Sequence, residues 1–146
     1  MKLLLGIGHR FRSDDGLGPY VVQQINRKQI DGIVALELNG DFTNVIHNLG
    51  NYKELIVVDA SMGGRPTGSY QVIDYCKEGL PTEWVQSSTH GLGIAEGLEL
   101  AAAIDALPEK VTVYAVEAGN FDPGKQLSPE VLKAADKVIL EIEKQL

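Results

Sequence analysis

Cysteine is almost absent from this chain of 146 residues. Cys76 is the only one, so the sequence allows neither an internal disulfide bond nor a cysteine-rich zinc cluster. This suits a reducing compartment, and the cytoplasm is the expected location. A role for Cys76 as a nucleophile has little support, because no catalytic motif surrounds it.

Long apolar runs are also missing. No run approaches the roughly 20 residues that a membrane span requires. The apolar run at 3–7 is too short for the core of a signal peptide, and charged residues follow it closely. We therefore expect neither contact with a membrane nor a secretion signal.

Positive charge is scarce. The 13 Lys and Arg residues are outnumbered by 20 Asp and Glu residues, which gives a net charge of -7, and the basic residues form no stripe. Such a surface would repel a phosphate backbone, so nucleic acid is not an expected partner. With 44% hydrophobic and 23% charged residues, the composition is that of a globular protein. The length predicts a single domain over residues 1–146.

The residues that are present alternate between strand and helix patterns. Continuous apolar runs predict strands that are covered on both faces, and helical spacing of apolar residues predicts the segments between them. Together they favour a three-layer α/β/α sandwich around a mostly parallel twisted sheet, with one antiparallel edge strand. The predicted strands are 3–7, 33–38, 55–58, 69–75 and 111–116, and the predicted helices are 18–30, 43–49, 90–107 and a last helix from 129 towards the C-terminus.

Cap residues mark two of these helices. Asp41 is a candidate N-cap for the helix at 43–49, and Ser128 with Pro129 is typical of an N-cap followed by a first helical residue. Glycines weaken the helix at 90–107 by about 1 kcal/mol each, but small residues also allow close packing against the sheet. These glycines are Gly91, Gly93 and Gly97.

A glycine pair after the first strand raises the question of nucleotide binding. Gly6-Ile7-Gly8 begins like the dinucleotide fingerprint GxGxxG, but Phe11 stands where the third glycine belongs. Asp14-Asp15 would also place negative charge where a pyrophosphate binds. Both features argue against a nucleotide site.

Two carboxylates and one imidazole, those of Asp15, Asp59 and His90, lie in segments that are expected to meet at one end of the predicted sheet. Taken alone, Asp14-Asp15 is explained by the macrodipole of the next helix, and His90 by a capping or core role. Asp59 is different, because a carboxylate at the end of an apolar strand needs a partner such as a cation. Ligands in such folds bind at the carboxyl ends of the strands. The joint occurrence of Asp15, Asp59 and His90 therefore favours a divalent metal site with open coordination positions.

The sequence gives weaker support for a functional role of three further polar residues. His9 and His47 are substitute ligands with weaker support, since neither comes with a carboxylate at the same predicted site. Glu117, near the end of the last strand, is equally compatible with a cleft-lining residue and an exposed polar end.

Motifs spread over most of the chain form a recognisable set. They are a GxG turn, an acidic pair with a second GxG, a strand ending in Asp-Ala, a Thr-His before a helix rich in Leu and Ala, and the start of the last helix. In this sequence they are Gly6-Ile7-Gly8, Asp14-Asp15-Gly16-Leu17-Gly18, Asp59-Ala60, Thr89-His90 and Leu127-Ser128-Pro129-Glu130-Val131. This set resembles one family, the hydrogenase maturation proteases, which process the large subunit of nickel–iron hydrogenases.

The resemblance implies an activity and a site. It implies an endopeptidase that removes the C-terminal extension of a nickel–iron hydrogenase large-subunit precursor after nickel insertion and recognises the bound nickel. Asp15, Asp59 and His90 match the family's metal ligands, with Asp15 and Asp59 also assigned to catalysis. The nickel is supplied by the substrate, and zinc or cadmium can substitute for it.

Two positions depart from the family pattern. Position 9 is His where the family usually has Asn, and Gly40-Asp41-Phe42-Thr43 is closer to a Gly-Asp variant found in part of the family. The hydrogenase that is served is therefore expected to differ from the better-known cases. Two other functions stay open from the residues alone: a metal-dependent binding module that escorts the large subunit without cutting it, and a small phosphate- or nucleotide-binding α/β enzyme.

Overall fold

A mixed sheet lies at the centre of the structure, a computed structural model that describes residues 1–39, 42–81, 91–124 and 126–146. Within these ranges the strands are β1 (Lys2–Ile7), β2 (Ile33–Leu38), β3 (Glu54–Ser61), β4 (Tyr70–Asp74) and β5 (Lys110–Glu117). The helices are α1 (Leu17–Arg27), α2 (Thr43–Ile46), α3 (Tyr75–Glu78), α4 (Gly91–Ala103) and α5 (Pro129–Lys144), with short 3-10 turns at Ser13–Gly16 and Leu49–Asn51.

The strand order is β2-β1-β3-β5-β4. All neighbouring strands are parallel except β4, which pairs with β5 in the antiparallel direction at one edge. The carboxyl ends of β1, β2, β3 and β5 therefore share one edge of the sheet. This arrangement confirms the predicted mostly parallel sheet with one antiparallel edge strand.

Helices cover both faces of the sheet. On one face α1 and α5 pack against alternate residues of β1, β3 and β5. On the other face α2 and α4 pack against the remaining residues of these strands. The run in β1 explains how this arises, because Leu4 faces the first cluster whereas Leu3 and Leu5 face the second. The predicted three-layer sandwich is confirmed.

Several element ends differ from the predictions. The helix predicted over 18–30 ends at Arg27, where the chain turns through Gln29 at φ 50°. The helix predicted over 90–107 ends at Ala103, close to Asp105 at φ 56°. The segment predicted as one helix at 43–49 is divided between α2 and the 3-10 turn Leu49–Asn51. Side-chain periodicity continues past each of these points, so backbone turns of this kind were not visible in it.

The predicted caps have mixed outcomes. Ser128 is the N-cap residue of α5 and Pro129 follows in its first turn, but the Ser128 hydroxyl makes no capping hydrogen bond. Asp41, the other predicted cap, lies outside the described residues. Among the residues that the structure describes, no helix is long and apolar enough to cross a membrane. A single domain over 1–146 and a cytoplasmic location stay predictions.

Candidate functional site

Glycines bring the loop after β1 unusually close to the strand. Gly8 has φ +137°, and a Cβ atom there would lie 2.0 Å from the backbone oxygen of Asp15. A Cβ atom on Gly6 would lie 2.2 Å from the backbone oxygen of Gly18, at the start of α1. Both approaches require residues without a side chain. Gly6 and Gly8 therefore serve backbone packing, which removes the need for a nucleotide to explain this pair.

Asp15 lies beneath this loop, in the 3-10 turn Ser13–Gly16. Its side chain is completely buried, and its Oδ2 atom accepts a hydrogen bond of 3.1 Å from the backbone N–H of His9. The turn that carries Asp15 contacts β3. The first predicted carboxylate is thus held at the carboxyl end of β1, beside the strand that carries the second.

Asp14 points to a different part of the molecule. Its carboxylate is also completely buried, and it accepts hydrogen bonds from the backbone N–H groups of Gly119, Asn120 and Ser128 at 2.8, 3.1 and 2.6 Å. The Ser128 hydroxyl donates a fourth, at 2.6 Å. Asp14 therefore joins the 3-10 turn to the loop between β5 and α5. The predicted link between the acidic pair and a helix start holds for Asp14, but the helix is α5 rather than α1.

Asp59 lies inside β3 rather than after it. The strand was predicted to end at Val58, but β3 continues to Ser61 because β5 pairs with it that far, with Asp59 opposite Ala115. The β1 ladder stops one residue earlier, at Val58. Asp59 is completely buried, and its Oδ1 atom accepts a 2.8 Å hydrogen bond from the backbone N–H of Ala60. The second carboxylate therefore stands at the point where β3 extends beyond β1.

Alternation along β3 decides which face Asp59 occupies. Leu55 and Val57 belong to the cluster that contains α4, so Asp59 lies on the same face. The residue that precedes α4 is His90, which lies outside the described residues. The third predicted ligand, His90, therefore directly precedes in sequence a helix, α4, that covers the face of the sheet on which Asp59 lies.

The described part of the chain does not complete a metal site by itself. Within it, no group of three His, Cys, Asp and Glu side chains is arranged to hold a metal ion. His47 is exposed next to the end of α2, and His9 is half-buried next to the loop glycine Gly8. Within the described residues neither forms such a group with the two aspartates, and their role as substitute ligands stays a prediction.

Glu117 organises another loop at the same edge of the sheet. It is only 6% exposed, which excludes the exposed polar end that the sequence left open. Both carboxylate oxygens accept from the backbone N–H of Gly63, at 3.1 and 2.9 Å. Glu117 therefore fixes the start of the loop that leads from β3 to β4.

Sequence reasoning missed an ion pair and a cleft next to Asp15. The Arg10 Nε atom donates to Glu37 at 2.7 Å, and this partner raises the pKa of the Arg10 guanidinium, first through the hydrogen bond and then through its charge. The pair borders a cleft of about 370 Å³ between residues 8–12 and 37–39. Strand pairing is the signal that could have found it, because Glu37 lies opposite Gly6 in the parallel β1–β2 ladder.

The fold and this edge define a class of protein: a three-layer α/β protein with two buried carboxylates at the carboxyl edge of a mostly parallel sheet. A family model described as hydrogenase maturation protease (HycI) matches residues 21–145. The chain belongs to this family, whose named members are proteases and endopeptidases, and it is therefore a peptidase. The matched range contains Asp59 and His90 and begins after Asp15.

Individual relatives agree with this assignment. The chain is 26% identical to the hydrogenase 2 maturation protease of Escherichia coli K12 over 139 residues, which covers 88% of this chain and 80% of that protein. The fold matches the E. coli endopeptidase HybD with a TM-score of 0.82 at 22% identity, over 97% of this chain and 88% of that one. It also matches HybD from Thermococcus kodakarensis with a TM-score of 0.78 at 22% identity, over 99% and 97% of the two chains.

Proposed function

We propose that this chain is the endopeptidase that removes the C-terminal extension of a nickel–iron hydrogenase large-subunit precursor after nickel has been inserted. The observation that carries the proposal is the position of Asp15 and Asp59. Both are completely buried, on two elements in contact, at the carboxyl edge of the sheet of a maturation-protease family member. Recognition of the bound nickel is the step that these carboxylates serve.

The donor set suits a divalent ion that arrives with the substrate. Two carboxylates and one imidazole, from Asp15, Asp59 and His90, leave coordination positions open for ligands from the precursor. His90 enters this set because it directly precedes α4, on the face of the sheet where Asp59 lies. A site that is completed only by a nickel-loaded precursor acts as a checkpoint for nickel insertion. Zinc or cadmium is expected to occupy the same donors.

The surrounding backbone prepares the carboxylates for this role. The N–H of His9 holds one oxygen of Asp15, and the N–H of Ala60 holds one oxygen of Asp59. Such bonds fix the orientation of a carboxylate that is to meet a metal ion or a proton. We assign to Asp15 and Asp59 the contact with nickel and the positioning or deprotonation of the attacking water.

The test is the intact mass of a nickel-loaded large-subunit precursor from the same source after incubation with this protein. Wild type is expected to remove one C-terminal peptide, whereas Asp15→Asn and Asp59→Asn lower the rate by at least about a hundredfold, because each keeps the shape and removes a charge at the site. Asp31→Asn is the matched control, since Asp31 is exposed in the turn before β2. Unimpaired cleavage by Asp15→Asn would contradict the assignment of Asp15.

The same experiment separates the escort module from the protease. A protease shortens the precursor, whereas an escort protein leaves its mass unchanged. If the complex forms but the mass of the precursor is unchanged, the protein binds the precursor without cutting it, and the proposed cleavage is wrong. The nucleotide-binding alternative has lost its main support, because close packing accounts for the glycines that suggested it.

A further inference from the structure

The cleft next to Asp15 contains an exposed aromatic ring and an exposed guanidinium that the cleavage chemistry does not use. Phe11 is 63% exposed, and it also lines a second cleft of about 190 Å³ on the surface of α1. Arg12 is exposed on the wall of the first cleft. Aromatic residues and arginine are the residue types that most often dominate the binding energy of protein interfaces.

The two arginines of this cleft differ in their partners. Arg10 is bound to Glu37 by two hydrogen bonds, so its charge is balanced within the protein. For Arg12, no hydrogen bond or ion pair to the guanidinium is found in the part of the chain that the structure describes. The wall of the cleft therefore presents one unbalanced positive charge, in a chain whose net charge is -7.

The backbone beneath Phe11 and Arg12 is fixed. The carbonyl of Phe11 accepts a 2.9 Å hydrogen bond from the N–H of Gly124, and the carbonyl of Gly124 accepts one of the same length from the N–H of Ser13. Arg12 itself forms a parallel bridge with Gly124. Side chains presented from such a backbone need little ordering when a partner binds, which favours affinity. The same loop holds Asp15 through the N–H of His9.

From this geometry we infer that the cleft formed by residues 8–12 and 37–39 binds the part of the large-subunit precursor next to the scissile bond, with a carboxylate side chain on Arg12 and an apolar side chain on Phe11. The inference rests on the proposed function. Its physical basis is charge complementarity: the backbone of Arg12 is fixed in the loop that also holds Asp15, and a carboxylate of the precursor can form a bidentate pair with the Arg12 guanidinium. A basic or uncharged flanking segment would lose this contact, so Arg12 sets the preference among precursors.

Steady-state cleavage of the nickel-loaded precursor tests the inference. Arg12→Glu and Phe11→Ala are each expected to raise KM by about tenfold with kcat changed little, because neither residue touches the reacting atoms. The matched control is Arg27→Glu, an exposed arginine in the last turn of α1, which is expected to keep the wild-type KM. Raising the salt concentration should increase KM for wild type more than for Arg12→Glu.

A charge swap makes the test specific. Arg12→Glu should regain activity on a precursor in which the acidic residue nearest the cleavage point is replaced by Lys, whereas wild type should lose activity on it. Equal KM values for wild type, Arg12→Glu and Arg27→Glu would overturn the inference while leaving the proposed function intact. If wild type leaves the precursor uncut, calorimetry measures the affinity of each protein for the same precursor. Weaker binding by Arg12→Glu than by wild type and Arg27→Glu supports the cleft as a docking surface. Equal binding by all three overturns the inference.

Discussion

At the scale of single residues, two adjacent aspartates have separate tasks. Asp14 is saturated by donors from Gly119, Asn120 and Ser128, whereas Asp15 faces the loop after β1. Ser13, which precedes them, has φ 51°, a left-handed conformation that is uncommon outside glycine. Its hydroxyl donates a 2.7 Å hydrogen bond to the carbonyl of Asp122, which helps to hold that conformation. The sharp turn allows one carboxylate to stabilise the fold while the next lies at the proposed site.

The tight approach at Gly8 gives a prediction at this scale. Gly8→Ala would combine an unfavourable φ with a Cβ atom 2.0 Å from the Asp15 backbone. We expect the free energy of unfolding to fall by at least about 3 kcal/mol, and cleavage to fall with the displacement of Asp15. The measurement is urea unfolding followed by circular dichroism. Gly32→Ala is the matched control, because Gly32 also has a positive φ but has nothing within 4 Å of its Cβ position. For this variant the free energy of unfolding is expected to fall by only about 1–2 kcal/mol. Equal losses would show that steric contact at Gly8 is unimportant.

At the scale of elements, α4 and the loop after β2 fit each other through one glycine. Phe42, only 2% exposed, packs over Gly97, where a Cβ atom would lie 2.4 Å from the aromatic ring. The glycines of this helix were predicted to allow close packing against the sheet. For Gly97 the close neighbour is a ring from another segment of the chain, and the side chains at 91–93 lie outside the described ones.

Gly97→Ala tests this contact. Helix propensity alone would stabilise α4 by about 1 kcal/mol, but overpacking against Phe42 is expected to cost about 1–3 kcal/mol. The substitution should therefore lower the midpoint of urea unfolding. In the background of Phe42→Ala, which removes the two ring atoms that would lie 2.4 and 2.7 Å from the new Cβ atom, Gly97→Ala should cost clearly less than in wild type. A loss of the same size in both backgrounds would contradict the steric explanation.

At the scale of the whole molecule, hydrogen bonds between distant side chains connect the layers. Tyr70 on β4 donates a 2.7 Å hydrogen bond to Glu141 on α5, joining the edge strand to the last helix. This bond, with burial as the next cause, raises the pKa of Tyr70 to about 12. Tyr114 on β5 accepts a hydrogen bond from Gln145, just after α5. The last helix is thus tied to the sheet by polar contacts as well as by its apolar face.

The raised pKa predicts how stability depends on pH. In the unfolded chain Tyr70 loses its proton at about pH 10, whereas in the folded chain it keeps the proton until about pH 12. The folded state therefore binds more protons than the unfolded state in this pH window. The contribution of Tyr70 to the free energy of unfolding is complete below pH 10 and is lost as the pH rises towards 12. Tyr70→Phe should lessen the decline in the free energy of unfolding between pH 9 and 11, measured in urea.

Glu141→Gln provides the control for the cause of that shift. A neutral amide oxygen is a weaker acceptor than a carboxylate, so this variant should also lessen the decline while keeping the tyrosine. Identical pH slopes in wild type and Tyr70→Phe would contradict the assignment to Tyr70.

Much of the fold could be predicted because its signals are local. The apolar run in β1 and the strand at Ile33–Leu38 reflect burial on the scale of a few residues, and the alternation of strands and helices fixes a mostly parallel sheet. Carboxyl ends of parallel strands share one edge, which is why Asp15 and Asp59 were expected together. The turn that carries Asp15 does contact β3.

The rest depends on partners that are distant in sequence. The acceptor role of Asp14 needs donors more than 100 residues away, the extension of β3 through Asp59 needs its pairing with β5, and the burial of Glu117 needs the loop at Gly63. The fold class, the family and the two aspartates of the proposed site could all be predicted from the sequence. The three-dimensional contacts were needed to show that Asp14 ties the 3-10 turn to the loop before α5, and that Arg12 rather than Arg10 presents its charge. Such roles are set by the three-dimensional neighbours of a side chain, which local periodicity does not specify.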